Sequence, residues 1–154
     1  MNQYFDTLLP ARADNIIRGS KLPFYALIVI AIVGTVRSLI HIFSPDGGAG
    51  SIAGMDLSAD GAGGVIFAFA LWGSAQLVYA LFQWLVIFRY RSLVPLMWAV
   101  QAIEIVLRML VGHLKPVTFA HTPPGQIGNY IILPLAVLML ALSLWSAGER
   151  ERAR

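Results

Sequence analysis

Long apolar runs separated by short polar stretches dominate the sequence. Four of them, residues 22–43, 64–88, 93–114 and 127–146, are long enough to cross a membrane. A helix rises about 1.5 Å per residue, so about 20 apolar residues span the roughly 30 Å of hydrocarbon in a bilayer. The pattern therefore predicts an all-α fold, an integral membrane four-helix bundle in a single domain over residues 22–146.

The segments outside the bundle have a different character. Residues 1–21 mix aromatic and aliphatic side chains with charges, which is typical of a segment lying in the lipid headgroup region. The first apolar run follows this polar leader, is too long for a signal-peptide core and lacks a clear cleavage site, so we interpret it as a retained anchor. Residues 147–154 form a short polar tail.

Composition agrees with a membrane location. The chain is 58% hydrophobic and 12% charged, whereas about a quarter of the residues in a soluble domain are charged. The absence of cysteine excludes disulfides, thiol redox chemistry and cysteine-ligated metals. The net charge of +3 is small, and the lipid bilayer, not a nucleic acid, is the expected partner.

The positions of the basic residues predict an orientation. Loops rich in lysine and arginine are retained on the cytoplasmic side. The two loops at one end of the predicted bundle contain a single basic residue, Lys115, and the first of them carries Asp46, Asp56 and Asp60. The sequence therefore predicts a multi-pass protein of the bacterial inner membrane with both termini in the cytoplasm. The remaining flanks carry most of the positive charge: Arg12, Arg18, Lys21, Arg89, Arg91, Arg150, Arg152 and Arg154.

Two further patterns concern helix packing and helix ends. Trp84, Trp98 and Trp145 fall near the cytoplasmic ends of their runs, as an interfacial aromatic belt would. Gly34 and Ser38 form a pair of small residues one turn apart, which predicts the close approach of another helix.

Three ionisable residues lie inside the apolar runs: Arg37, Glu104 and Arg108. Each would cost at least about 2.5–3.5 kcal/mol at the centre of an isolated helix, so such residues usually face the interior of a bundle. Counting from the outer ends of their runs places both arginines about 9 Å below the outer boundary, and Glu104 one turn deeper.

Helical spacing gathers polar side chains into stripes. Residues three and four apart share a helix face, and three stripes turned inward would form a polar seam in an apolar bundle. The stripes are Arg37 and His41 in the first run, Trp72, Gln76, Tyr79 and Gln83 in the second, and Gln101, Glu104 and Arg108 in the third.

The seam allows two interpretations. In the first, Glu104 bridges Arg108 and Arg37 in a purely structural network. In the second, two arginines and one glutamate leave a surplus positive charge, which an anion must offset because an unpaired buried charge is unfavourable. That anion would be Asp46, a lipid headgroup, or a ligand with a carboxylate, phosphate or quinone-like oxygen. The candidate ligand-binding residues are Arg37, His41, Gln76, Tyr79, Gln101, Glu104 and Arg108.

Other chemistry has little support in the sequence. His41, His113 and His121 all fall on the predicted outer side, but none forms a histidine pair with metal-ligand spacing, and Arg37 opposes a cation beside His41. No catalytic nucleophile arrangement is present, which favours a non-enzymatic role. The glycine-rich stretch at residues 44–64 lacks the spacing of a phosphate-binding loop, so we interpret it as a lid or a plain connector.

The chain resembles the DoxX-like group of small four-helix bacterial membrane proteins. The resemblance lies in the stretches VRSLIHIFSPDGG, GAGGVIFAFALWG and EIVLRMLVGH, which place an arginine in the first run, glycines at the start of the second and an arginine in the third. It implies the four-helix architecture. Some members of the group are subunits associated with quinone-linked sulfur oxidation, which implies a quinone as one candidate ligand.

Two functional hypotheses follow. The first is a non-catalytic membrane subunit or accessory protein whose seam binds a lipid, a quinone-like or anionic ligand, or a partner protein, with homo-oligomers included. The second is a small proton-coupled transporter or channel in which Glu104 carries the proton. The biased loop charges argue against the dual-orientation design of the smallest multidrug exporters.

Overall fold

A computed structural model describes residues 3–152, with side chains over residues 4–145, and this part of the chain contains helices and no strand. Four of the helices are long and apolar enough to cross a membrane, which confirms the predicted all-α fold with four long helices. The elements are α1 (Gln3–Leu8), α2 (Leu22–Phe43), α3 (Ala62–Arg89), a 3-10 turn (Arg91–Leu93), α4 (Val94–Leu114) and α5 (Pro124–Arg152).

The helix ends differ from the predicted ones by a few residues. Helix α3 begins directly after Gly61, whose φ of +93° is a left-handed conformation that suits glycine. Helix α5 begins at Pro124, before the apolar run, because proline fits the first turn of a helix. At its other end α5 continues through polar residues to Arg152. Hydropathy locates the apolar part of a helix, whereas backbone hydrogen bonding decides where it ends.

The long helices form two hairpins, in which α2 packs on α3 and α4 packs on α5. Gly73 allows the first contact, since a Cβ added there would lie 2.6 Å from Cβ of His41 and 3.1 Å from the carbonyl oxygen of Ser38. Ser38 is fully buried. The close helix approach predicted at Gly34 and Ser38 is therefore present, and α3 is the helix that makes it.

We call the end of the bundle with residues 44–61 and 115–123 the loop end, and the opposite end, with residues 90–93, the terminal end. The apolar core fills the half toward the terminal end, whereas Arg37 and Arg108 lie in the half toward the loop end. The core consists of Phe24, Leu27, Ala31, Val86, Ile87, Val94, Met97, Trp98, Ala136 and Met139.

The three tryptophans predicted to form an interfacial belt differ in how deeply they are buried. Trp98 has no exposed surface, and its Nε1 donates a hydrogen bond of 3.0 Å to the carbonyl oxygen of Pro23. Trp84 is half-buried and donates from Nε1 to Oγ1 of Thr35 at 3.0 Å. Trp145 is exposed. The belt prediction is wrong for Trp98, because position along a helix does not reveal which face the side chain occupies, and it stays a prediction for Trp84 and Trp145.

The N-terminal segment packs against the terminal end. Helix α1 contacts α5 and α4. Farther along, the backbone N–H of Asp14 donates to Oγ of Ser92 at 2.9 Å, and the N–H of Ser92 donates to the Asp14 carbonyl oxygen at 3.2 Å. These bonds tie the leader to the turn before α4. Tyr4, Phe5 and Ile16 keep large exposed surfaces there.

Candidate ligand-binding site in the polar seam

The centre of the seam is an ion pair within α4. Arg108 follows Glu104 by one turn, which brings a guanidinium beside a carboxylate on the same helix face. Nε of Arg108 donates to Oε1 of Glu104 at 3.1 Å, and Nη2 contacts both carboxylate oxygens. The carboxylate of Glu104 is therefore committed to Arg108.

A chain of hydrogen bonds extends this pair across three helices. Gln101 donates from Nε2 to Oε2 of Glu104 at 3.4 Å, and its own Oε1 accepts a bond of 3.2 Å from Nε2 of Gln83 on α3. The hydroxyl of Tyr79 donates to the same Oε1 at 3.4 Å. On the other side, Nη1 of Arg108 donates to Oδ1 of buried Asn129 on α5 at 3.1 Å. This network links α3, α4 and α5.

Arg37 lies outside that network and makes different contacts. Its Nε donates to Nε2 of His41, one turn later on α2, at 3.3 Å. Its guanidinium carbon lies 4.8 Å from the ring centre of Trp72, a cation–π distance. In the part of the chain that is described, neither terminal nitrogen of Arg37 donates a hydrogen bond, and no carboxylate pairs with it.

Hydrogen bonding fixes the protonation state of His41. Its Nδ1 lies 2.7 Å from the carbonyl oxygen of Gly47, which can only accept, so Nδ1 carries the proton. Its Nε2 faces the N–H of Arg37 and must therefore accept. Only a neutral imidazole satisfies both bonds. His41 thus positions Arg37 but does not contribute charge.

Trp72 connects the two arginines. Its ring centre is 4.8 Å from the guanidinium carbon of Arg37 and 5.9 Å from that of Arg108. His41 also packs against this ring, with 5.1 Å between the centroids. One indole on α3 therefore lies beside both cations.

The guanidinium of Arg37 reaches the loop end of the bundle. A Cβ added at Gly125, the second residue of α5, would lie 3.0 Å from Nη2 of Arg37. The first turn of a helix carries partial positive charge. The surroundings of Arg37 on this side therefore add to its charge and do not offset it.

The first loop covers His41 in an ordered conformation. Asp46 accepts hydrogen bonds from the backbone N–H of Ser51 and Gly48 and from the Ser44 hydroxyl. These bonds, with that from Ser51 the strongest cause, hold the pKa of the Asp46 carboxyl far below its usual range. The Asp46 carboxylate is hydrogen-bonded within its own loop. It is therefore not the counter-ion of Arg37.

The two loops at this end also contact each other. The backbone N–H of Ala120 donates to the carbonyl oxygen of Gly54 at 2.9 Å. The His121 ring packs on Gly54, and its Nε2 lies 3.2 Å from the carbonyl oxygen of Ile52. Within the described residues no group of three or more potential metal-ligating side chains comes together.

The structure brings most of the predicted site residues together, but as two clusters. Tyr79, Gln101, Glu104 and Arg108 belong to the hydrogen-bond network, and Arg37 pairs with His41. The Glu104 bridge to both arginines does not form, since Glu104 contacts Arg108 alone among the described basic residues. Gln76 is half-buried and joins neither cluster through a hydrogen bond between described residues. Their role in ligand binding stays a prediction.

Four residues of these clusters were not among the predicted site residues. Trp72 and Gln83 lie on the polar stripe of α3, so helical spacing pointed to both. Asn129 and Gly125 lie on α5, where no stripe of polar residues marks the inner face. An isolated asparagine in an apolar run was the one available signal for Asn129.

Comparison with protein-family models, curated proteins and solved structures finds no significant match for this chain. The resemblance to the DoxX-like group therefore stays a prediction.

Proposed function

We propose that this chain is a non-catalytic integral membrane protein, a subunit or accessory factor of the bacterial inner membrane, that binds an anionic ligand at Arg37. The basic flanks of the apolar runs support an orientation with the termini in the cytoplasm and the loop end outside. In that orientation the ligand binds near the outer boundary of the membrane.

The observation that carries the proposal is the unequal pairing of the two arginines. Glu104 offsets the charge of Arg108. Arg37 has a neutral histidine, an indole ring and the positive end of α5 as neighbours. A partly buried cation without a counter-ion is unfavourable. An anion that binds the terminal nitrogens of Arg37 would supply the missing charge and accept the unused hydrogen bonds.

Charge also discriminates between ligand classes. A neutral quinone would accept a hydrogen bond from Arg37 and leave the net charge unchanged. A carboxylate or phosphate oxygen accepts charge-assisted hydrogen bonds, which are about twice as strong as neutral ones, and matches the planar fork of a guanidinium. The surplus of one positive charge in the seam therefore favours a monoanion over a quinone.

The contacts of Glu104 bear on the alternative of a proton-coupled transporter. A carboxylate that carries protons must be able to change its hydrogen-bonding partners. Both oxygens of Glu104 accept bonds, from Arg108 and from Gln101, which supports a fixed structural role. The alternative predicts that Glu104→Gln abolishes pH-dependent transport in proteoliposomes, whereas the structural role predicts a lower melting temperature.

The proposal is tested by native mass spectrometry of the protein purified in mild detergent from its own membrane. The wild type should retain an anionic species that Arg37→Gln loses. Arg89→Gln, which removes an exposed arginine at the far end of α3, is the matched control and should retain it. Retention of the same species by Arg37→Gln, or its absence from the wild type, would refute anion binding at Arg37.

A further inference from the structure

The outer surface of α2 carries a shallow, open apolar groove near Arg37. The groove is lined by Val36, Leu39, Ile40, Phe43 and Ser44. Ile40 follows Arg37 by three residues, so it lies next to Arg37 on the helix surface. The groove therefore begins one helical turn from the cationic site.

The depth of the guanidinium matches that of lipid phosphates. The Cα of Arg37 lies six residues before the end of α2, but its side chain extends to Gly125, the second residue of α5. That residue marks the boundary of the apolar part of the bundle at the loop end. In a bilayer the phosphate groups lie just outside the hydrocarbon at such a boundary, with acyl chains running inward from them.

We infer that the anion at Arg37 is the phosphodiester of a phospholipid in the leaflet at the loop end, with an acyl chain in the groove of α2. This inference rests on the proposed anion binding and names the ligand class. A phosphodiester presents two oxygens to the two terminal nitrogens of Arg37, and an anionic lipid with one net negative charge matches the surplus of one positive charge. The apolar lining of the groove suits a hydrocarbon chain.

The position of the loops agrees with entry from the bilayer. On the aqueous side, the first loop is bonded to His41 through Gly47 and to the second loop through Gly54. The groove faces outward, with 52% of Val36 and 39% of Ile40 exposed. A lipid moving laterally would reach Arg37 without displacing these contacts, whereas a water-soluble anion would meet the loops first.

The test measures lipid retention in nanodiscs that contain equal amounts of phosphatidylglycerol and phosphatidylcholine, followed by native mass spectrometry. The wild type should retain phosphatidylglycerol preferentially. Arg37→Gln should lower that retention by about tenfold, the effect of losing a charge-assisted hydrogen bond. Ile40→Trp, which fills the groove and leaves Arg37 in place, should lower it by about fivefold through lost apolar contact.

Ile32→Trp is the matched control, because Ile32 is a similarly exposed residue of α2 outside the groove. Val36→Trp is the second groove variant, and melting temperatures identify any variant that has not folded. Equal retention by the groove variants and Ile32→Trp would overturn the acyl-chain site. If Arg37→Gln alone lowered lipid retention, anion binding at Arg37 would still be supported. Failure of the acyl-chain site can therefore be distinguished from failure of the proposed anion binding.

Competition separates the sources of the anion. Dioctanoyl phosphatidylglycerol should displace the bound lipid, whereas glycerol 3-phosphate, which has the phosphate without chains, and octanoate, which has a carboxylate with one chain, should not at the same concentration. Displacement by glycerol 3-phosphate would show a site for a soluble phosphate, and displacement by octanoate would show a fatty-acid site. Either result would overturn the phospholipid assignment.

Discussion

Arg37 and Arg108 differ in what lies one helical turn away on the same helix. Arg108 follows Glu104 by four residues, in the order that favours an ion pair, and Arg37 precedes His41 by four. Helix geometry therefore decides locally which arginine has a carboxylate. Helix α5 increases this difference. Asn129 accepts a hydrogen bond from Arg108, whereas Gly125 has no side chain that could accept one from Arg37.

A small change at Gly125 should disturb Arg37 without removing it. In Gly125→Ala, the new Cβ would lie 3.0 Å from Nη2 of Arg37, so the guanidinium must shift. We expect anion binding to weaken by about 1 kcal/mol, the low end of overpacking effects. The melting temperature should change little, because alanine is well tolerated in a helix. Retention in native mass spectrometry and thermal unfolding measure the two effects.

Gly112→Ala provides the control for this prediction. Gly112 lies near the end of α4 at the loop end of the bundle, and a Cβ added there meets nothing within 4 Å. Its anion retention should equal that of the wild type. If Gly125→Ala also retains the anion fully, the terminal nitrogens of Arg37 do not bind it from the side of α5.

Sequence alone indicates some of these residues and not others. The pairs Glu104–Arg108 and Arg37–His41 each lie on one helix, so spacing is enough to place their members together. The contact of Arg37 with Gly125 and that of Arg108 with Asn129 join different helices. These contacts form only if α5 is rotated so that Gly125 and Asn129 face its neighbours. That rotation cannot be predicted from an apolar run with few polar residues, because no polar stripe marks its inner face.

At the scale of secondary structure elements, the glycine-rich loop is more ordered than its composition suggests. One carboxylate, Asp46, organises the turn after α2, and Gly47 then bonds to His41. Gly47 and Gly48 have φ values of +60° and +75°, a left-handed conformation that few other residues adopt readily. The sequence predicts a lid or a plain connector here, and the structure shows a loop held in a fixed conformation by these hydrogen bonds.

The order of this loop should depend on pH in a specific direction. Because folding lowers the pKa of Asp46 below its ordinary value of 3.8, its stabilising effect is fully present above that value and is lost as pH falls through the folded pKa. Hydrogen exchange of residues 44–54 should therefore stay slow at pH 5 and pH 4 after correction for the intrinsic rate. Asp46→Asn should lose this protection at every pH.

The matched control is Asp60→Asn in the same loop, which should leave the protection of residues 44–54 unchanged. Asp60 is exposed, and no hydrogen bond from another described residue reaches its carboxylate. If Asp46→Asn exchanges as slowly as the wild type, the carboxylate does not organise the loop.

Hydropathy predicted the four long helices well because each apolar run is longer than a globular helix requires. It did not predict the helix ends, where Gly61 and Pro124 act through backbone geometry, or the rotation of each helix. Trp98 illustrates the second point: a tryptophan near a helix end was interpreted as interfacial, but its side chain lies in the core. Helix rotation depends on contacts between residues of different helices, which are far apart in the sequence.

At the scale of the whole molecule, the proposed orientation has a direct test. The chain contains no cysteine, so single cysteines can be introduced without a background. Ala59→Cys and Thr118→Cys, at exposed positions in the two loops of the loop end, should react in intact cells with a maleimide that does not cross the inner membrane. Ala13→Cys, exposed in the N-terminal segment, should react only after permeabilisation. Labelling of Ala13→Cys in intact cells would contradict the proposed orientation and indicate the opposite one.

The two arginine truncations, compared side by side, test the division of roles most directly. The ion pair keeps side-chain exposures of 24% for Arg108 and 32% for Glu104. Arg108→Ala should therefore lower the free energy of unfolding by about 1–3 kcal/mol, somewhat less than for a fully buried pair. Arg37→Ala should leave stability within about 1 kcal/mol of the wild type, because it removes a cation that has no carboxylate partner.

The decisive measurement is the melting temperature of both variants in detergent, with the bound anion quantified on the same samples. The account predicts a clear drop in melting temperature with Arg108→Ala, and loss of the anion with little change in melting temperature with Arg37→Ala. Equal destabilisation by the two substitutions, with the bound species unchanged, would contradict it and show that Arg37, Glu104 and Arg108 form one closed structural network.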